Sequence, residues 1–197
     1  ILHIPFEITL DENYYATFEG CKLCYSDKKI SDGLYIKSVK LLYQTSIENQ
    51  EIQMSEYDNF PIFFATYGKD QTLPFDIFAA SFYLVSRYEE YLPHVSDQYN
   101  RFQPQDSILS KMDSFEKPVI NIWAKELGNL ITEKYPDIQL RKKTFKFIPT
   151  YDIDAAWAYR NKGFFRTTAA FIRDAIVFNT DEIKRRFEVL TKKRIDP

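Results

Sequence analysis

The stretch FKFIPTYDIDAAW, Phe145 to Trp157, ends a short apolar run in two carboxylates one residue apart, Asp152 and Asp154. Read as a strand followed by a turn, it sets the pair where open α/β sheets and barrels place their chemistry. Four uses of such a pair stand open. A sugar-transfer enzyme would set both carboxylates on a nucleotide-bound divalent cation. A phosphatase of the haloacid-dehalogenase kind would use Asp152 as nucleophile, although Ala156 stands where that motif usually has Thr or Val. A metal-dependent hydrolase would place one Asp on the metal and keep the other as base. The fourth use is structural, with Asp154 capping a helix that begins near Ala155.

Other residue types that could do chemistry are few. Cys21 and Cys24 form a C-x-x-C pair, but the only histidines are His3 and His94, so no second ligand pair completes a zinc site. Two small residues in a strand or turn is the expected role, and two free thiols point to a reducing, cytoplasmic compartment. The chain opens on Ile1, so a targeting segment is not legible and a cell-envelope location stays open. In SRYEEY, Arg87, Glu89 and Glu90 are charges on a mostly apolar segment and need partners. Arg87 and Glu90, at i and i+3, are expected to form a structural ion pair that fixes the helix against a loop; a carboxylate site is the functional alternative.

Stepping from these residues to the chain that must position them, 197 residues suffice for one domain and part of another. Hydrophobic residues make up 45% and aromatics 17%, enough for a ring-rich core and against global disorder. Glycine occurs five times, with neither a GxGxxG nor a GxxxxGK pattern, which excludes the common phosphate-cradling loops. No apolar run approaches the ~20 residues that cross a bilayer, so no membrane span is expected. The net charge of −2 hides a step. Residues 1–140 carry 12 Lys and Arg against 21 Asp and Glu, and residues 141–197 carry 14 against 7. An acidic unit followed by a basic one is the simplest organisation.

The periodicities fill in the elements. HIPFEITL alternates Ile4, Phe6, Ile8 and Leu10 and predicts a strand. Asp32-Gly33 predicts a turn before extended LYIK, LLY at 41–43 opens a helix or a strand, and FPIFFATYG predicts a buried strand closed by Gly68. LPFDIFAASFYLVSRYEEYLPH predicts a core helix with Pro74 in its first turn, Asp76 at its positive end and Pro93 as its stop. Its stripe runs through Phe78, Phe82, Val85 and Leu92 and is widened by Ile77, Leu84, Tyr88 and Tyr91, so the helix is apolar on most sides. A polar loop containing Pro104 leads to a second helix, on which Val119, Ile122, Trp123, Leu127, Leu130 and Ile131 recur before Pro136. Basic residues 139–146 form the boundary. Beyond it come a strand at Phe145–Thr150, the Asp-Ile-Asp turn, and a helix with Phe165, Ala169, Ile172, Ile176 and Val177 near one face. Thr180 is placed to cap a last helix, ending in Lys192, Lys193 and Arg194. The basic end, with Lys184, Arg185 and Arg186, is read as a solvated face or a surface that meets the rest of the protein, rather than as a site for nucleic acid or an anionic glycan. Trp157 is expected to be buried rather than to stack on a sugar.

FIPTYDIDAAWAYRNKG resembles the first motif of the polysaccharide deacetylases, the NodB-type carbohydrate esterases. It is most similar to a branch whose barrel follows an N-terminal domain of unknown function. PFDIFAASFYLVSRYEEYLPHVSDQYNRF resembles that domain, and RFEVLTKKRIDP the segment after the first barrel strand. The usual motif is Thr-Phe-Asp-Asp-Gly, whereas this chain has Thr150-Tyr151-Asp152-Ile153-Asp154. On the Asp-x-Asp form that the resemblance implies, Asp152 is the general base and Asp154 the ligand of a Zn-type divalent metal. The family's H-x-x-x-H pair does not occur in this chain.

The sequence therefore predicts an α/β or α+β chain in two parts. Residues 1–143 form a small mixed-sheet accessory domain with core helices, and residues 144–197 the first βα segment of a truncated barrel. By the resemblance, the longer parent removes acetyl groups from carbohydrate. This fragment alone is expected to be inactive and to hold no metal. The alternatives are a non-catalytic domain that binds a glycan or a protein, and a D-x-D sugar transferase. The expected partners are the missing barrel in cis, carbohydrate, and a second copy of the chain through the exposed barrel segment; nucleic acid is not among them.

Overall fold

The structure is a computed structural model that describes residues 2, 4–140, 144–152 and 157–196. The chain mixes helix and strand and divides into two units, Ile1–Lys143 and Thr144–Pro197.

In the first unit, a short helix α1 (Glu12–Thr17) is capped by Asp11, whose carboxylate accepts the N–H groups of Asn13 and Tyr14. Strand β1 (Leu23–Ser26) pairs in parallel with β2 (Leu34–Lys37), in the register Leu23 to Leu34. The crossover is only seven residues long and ends at Gly33, whose φ of 126° lies where a side chain would be strained. Strands β3 (Ser55–Tyr57) and β4 (Phe60–Ile62) form an antiparallel hairpin. Its two-residue loop, Asp58-Asn59, has φ of 47° and 62°, the positive pair that a tight hairpin turn of matching twist requires.

Helix α2 (Ile77–Val85) starts one turn later than Pro74 suggested, because Asp76 is its cap. Its buried residues are Ile77, Ala79, Ala80 and Tyr83, so the stripe read from the sequence is corrected: Phe78, Phe82 and Val85 face outward. The two alanines let this short helix sit close against the core, and proximity rather than side-chain size selects the buried face. A 3-10 turn, Tyr88–Tyr91, follows. Another at Pro104–Asp106 leads into α3 (Ile108–Lys111), and α4 (Val119–Lys134) closes the unit.

Helix α4 lays Val119, Trp123, Leu127 and Ile131 on the core at four-residue spacing. Trp123 is fully buried against Phe63 and Phe75, with ring centroids 5.8 and 5.4 Å away, and its indole N–H donates to the Pro61 carbonyl at 3.0 Å. Satisfying that N–H is what makes a buried tryptophan tolerable here. Gly128 permits close approach on the same helix, since a Cβ there would lie 2.9 Å from the ends of both Leu2 and Leu140.

Two strand expectations are corrected. Residues 4–10 form no strand, and Phe6, Ile8 and Leu10 are exposed. Alternation fixes a strand only where one face is buried, and neither sheet takes this segment as a third member. The run FPIFFATYG keeps only Phe60–Ile62 as strand, although Ile62, Phe63 and Phe64 are buried as expected.

In the second unit, α5 (Phe164–Ile176) and α6 (Thr180–Leu190) pack side by side. Asn179, not Thr180, caps α6, its side-chain oxygen accepting the Glu182 N–H at 3.3 Å. The predicted strand at Phe145–Thr150 is absent: residues 144–152 hold no helix or strand, and Phe145, Phe147, Ile148 and Tyr151 are exposed. A strand needs a neighbour about 4.8 Å away to satisfy its backbone, and no other strand lies among the described residues of this unit. Trp157 is also exposed, against expectation.

The centre of this unit is polar. The Asp174 carboxylate accepts from Arg186 at 2.7 Å and Arg173 at 2.9 Å. The Arg186 guanidinium lies over the Tyr159 and Phe171 rings, 5.0 and 5.5 Å from their centroids. Tyr159 donates to Glu182 at 2.7 Å, which raises the phenol above its usual range. Asp196 closes the unit by accepting the consecutive N–H groups of Ala158, Tyr159 and Arg160, at 2.8 to 3.1 Å for the closest bond of each.

Candidate functional site

Asp152 lies in the irregular segment 144–152 and is exposed. Asp154 lies outside the described residues, and so does the helix start near Ala155 that it was expected to cap. Among the described residues, no three His, Cys, Asp or Glu side chains converge on a point that could hold a metal ion. These residues on their own do not fit a divalent cation.

Arg87 leaves α2 in a left-handed conformation, φ 54°, and its guanidinium bonds to the Glu90 carboxylate one turn on. Arg87 is largely exposed, so this pair ties down its own turn rather than a distant loop. The fastening is done by Glu89. Its two carboxylate oxygens accept from the Ser107 hydroxyl and, at 2.9 Å, from the Ile108 N–H, which joins the 88–91 turn to the start of α3.

The C-x-x-C pair is split by the fold. Cys24 is buried in β1 with its sulfur 3.0 Å from the Ser26 hydroxyl, while Cys21 is exposed in the preceding turn. Partial burial pushes the Cys21 thiol up, away from the reactive thiolate.

Asp76 is the one buried carboxylate among the described residues of the first unit. It is fully buried and accepts four bonds: from Phe78 and Ala79 N–H at the start of α2, at 3.1 and 2.9 Å, and from the Tyr25 hydroxyl and Val39 N–H, both at 2.8 Å. Burial raises its carboxyl above the usual range, although each bond pulls the other way. Asp76 therefore knots β1, the segment after β2 and α2 together, and it has no free lone pair with which to do chemistry.

Beside the Glu89 anchor the first unit opens a cleft of about 700 Å³, within the range of small-molecule sites. Its apolar wall includes Ile52, Met54, Leu92, Val95 and Phe102. Its polar wall includes Asn49, Gln50, Tyr83, Glu89, His94, Asp106 and Lys111. The Tyr83 ring is held by Phe63, Phe64 and Tyr88, at centroid distances of 5.7, 5.9 and 5.3 Å. Burial, and then the nearby Glu89 carboxylate, push its phenol up to about 12, so it is a neutral donor at any physiological pH. His94 sits 2.8 Å from the Leu92 carbonyl through Nδ1 and packs edge-on against Phe102 at 5.1 Å. The sequence reading passed over this cleft. Its only trace there is an unusual density of polar and aromatic residues in the loop before and after Pro104.

Compared with known proteins, residues 1–136 match the model of a family of unknown function, DUF7033, and the chain belongs to that family. No curated protein and no solved structure matches it.

Proposed function

We propose that the natural protein is a metal-dependent deacetylase of carbohydrate N- or O-acetyl groups, in which residues 1–143 are an accessory domain and residues 144–197 begin the catalytic barrel. The observation that carries this reading is the run Thr150-Tyr151-Asp152-Ile153-Asp154, which falls in the unit that starts at Thr144 and follows the family-matched segment. The reading assigns Asp152 as general base and Asp154 as a metal ligand. The exposed Asp152 is compatible with a base that must reach a water molecule. On this reading the remaining ligands belong to the rest of the barrel, and this chain alone is expected to be inert. The same incompleteness accounts for the outward apolar residues of α5: the barrel covers them in the parent, and a second copy covers them in the isolated chain.

The test is acetate release from N-acetylated and O-acetylated oligosaccharides by the full-length natural protein with Zn²⁺, beside the 197-residue chain alone. Release by the first and none by the second is expected. Full-length protein that releases no acetate from either class overturns the reading.

A second reading is favoured by the cleft in the first unit: residues 1–143 act as a non-catalytic binding domain for a glycan or a protein. No helix among the described residues is long and apolar enough to cross a membrane.

A further inference from the structure

We propose that the cleft beside Glu89 is a binding site for a small neutral polyhydroxylated ring, one or two sugar units in size, with Tyr83 as its central hydrogen-bond donor. The proposal rests on the second reading above and gives it a place and a ligand chemistry.

Tyr83 is the observation that points to a ligand. It is only 4% exposed and its ring is locked in an aromatic cluster, yet its hydroxyl makes no hydrogen bond among the described residues. The hydroxyl itself is not sealed off: it opens on the cleft, where solvent reaches it and a ligand can take the place of water. Tyr25, Tyr35, Tyr88 and Tyr159 each spend their hydroxyl on a protein acceptor, so Tyr83 is set apart from other well-buried tyrosines. Because Tyr83 lines the cleft, an occupant can supply the missing acceptor.

The remaining lining decides between ligand chemistries. Asp106 offers a carboxylate that accepts no hydrogen bond among the described residues, Glu89 adds a second negative charge, and Lys111 supplies one positive charge, so the lining keeps an excess of one negative charge. An anionic ligand such as a phosphate would face both carboxylates. His94, whose Nδ1 donates to the Leu92 carbonyl, turns Nε2 to a ligand, Gln50 spends its amide N–H groups on Gln44 and Glu48 and offers its side-chain oxygen, and Tyr83 and the Asn49 amide present donors. An amine supplies only donors and leaves Tyr83 unmatched. A hydroxyl both donates and accepts, so a ring carrying several hydroxyls answers both kinds of group. Its C–H face suits the apolar wall around Phe102 and Leu92. The volume of about 700 Å³ holds one or two such rings.

The experiment is saturation-transfer NMR on the full 197-residue chain with D-glucose, N-acetyl-D-glucosamine and cellobiose, beside choline and methyl phosphate as the amine and anion probes. Transfer to at least one sugar, and to neither control, is expected. Tyr83→Phe keeps the ring and its packing, and Asp106→Asn keeps the size of its side chain. Each should weaken sugar binding about fivefold to tenfold, the worth of one hydrogen bond. An unchanged thermal midpoint shows that each variant is folded. Sugar contact that both folded variants leave unchanged overturns the cleft assignment while the binding-domain reading stands. Choline or methyl phosphate contact in place of sugar overturns the ligand class. No contact with any probe overturns the proposal and removes the glycan half of the reading with it.

Discussion

The Asp174 carboxylate and the Arg186 guanidinium meet at 2.7 Å between α5 and α6, both buried, while Phe165, Ile172 and Ile176 of α5 face solvent. The helix pair is thus partly inside-out relative to an ordinary amphipathic pair: a buried ion pair beside Val189 holds it together, while these large apolar residues of α5 have nothing to cover. One further feature marks the ion pair as the clamp of this unit. The Arg186 Nε is buried without a partner, a cost carried by the bonds that the rest of the guanidinium makes.

Removing one side of that pair should therefore loosen both helices. In Asp174→Ala, Arg186 is left buried without its counter-charge, and amide hydrogen exchange across residues 164–190 should speed up while α4 keeps its protection. Equal protection of α5 and α6 in the variant would sink the idea.

The same pair sets a pH dependence. Hydrogen bonds from Arg186, then Arg173, hold the Asp174 carboxyl below its ordinary 3.8. A depressed carboxylate contributes stability that is fully present above its unfolded value and is lost as pH falls through its folded value. Protection of α5 and α6 should be flat from about pH 7 to 5 and fall below about pH 4. A decline that begins near pH 6 would contradict this.

Asp76 makes a prediction of opposite sign. Its carboxyl is raised by burial, so its contribution to stability falls as pH rises from 3.8 through the folded value. Replacement by Ala removes a helix cap and strands the Tyr25 hydroxyl and Val39 N–H, and should cost about 3–5 kcal/mol in urea unfolding. A loss under about 1 kcal/mol would show that water replaces all four bonds.

The apolar stripe of α5 bears on assembly. In isolation the chain should form dimers by light scattering at micromolar concentration, and Phe165→Glu with Ile172→Glu should return it to a monomer with unchanged helix content. A monomeric parent chain at such concentrations rules out this use of the stripe.

What could be read from the sequence followed from strong local signals. The four-residue spacing from Val119 to Ile131 gave α4, and the apolar run after Asp76 gave α2, although Pro74 set its start a turn too early. The charge step near residue 140 falls where the two units divide. What was not legible depends on contacts distant in sequence. The alternation in residues 4–10 and the apolar run at 145–150 both look like strands, but a strand exists only with a partner, and the pattern does not say whether one is there. The buried face of α2 was misjudged because large residues are not always the inward ones. Glu89 was singled out as a charge in need of a partner, but Ser107 and Ile108, which hold it, lie 18 and 19 residues away. The cleft went unread for the same reason, since its walls come from residues 49–54, 83–95 and 102–111.

The most direct test of the central claim separates the two carboxylates with which the sequence began. In the full-length natural protein, Asp154→Asn should lose both bound zinc and acetate release. Asp152→Asn should keep its zinc and lose acetate release by about 100-fold or more, the usual worth of a general base. Zinc content and activity that both survive in the two variants would contradict the account.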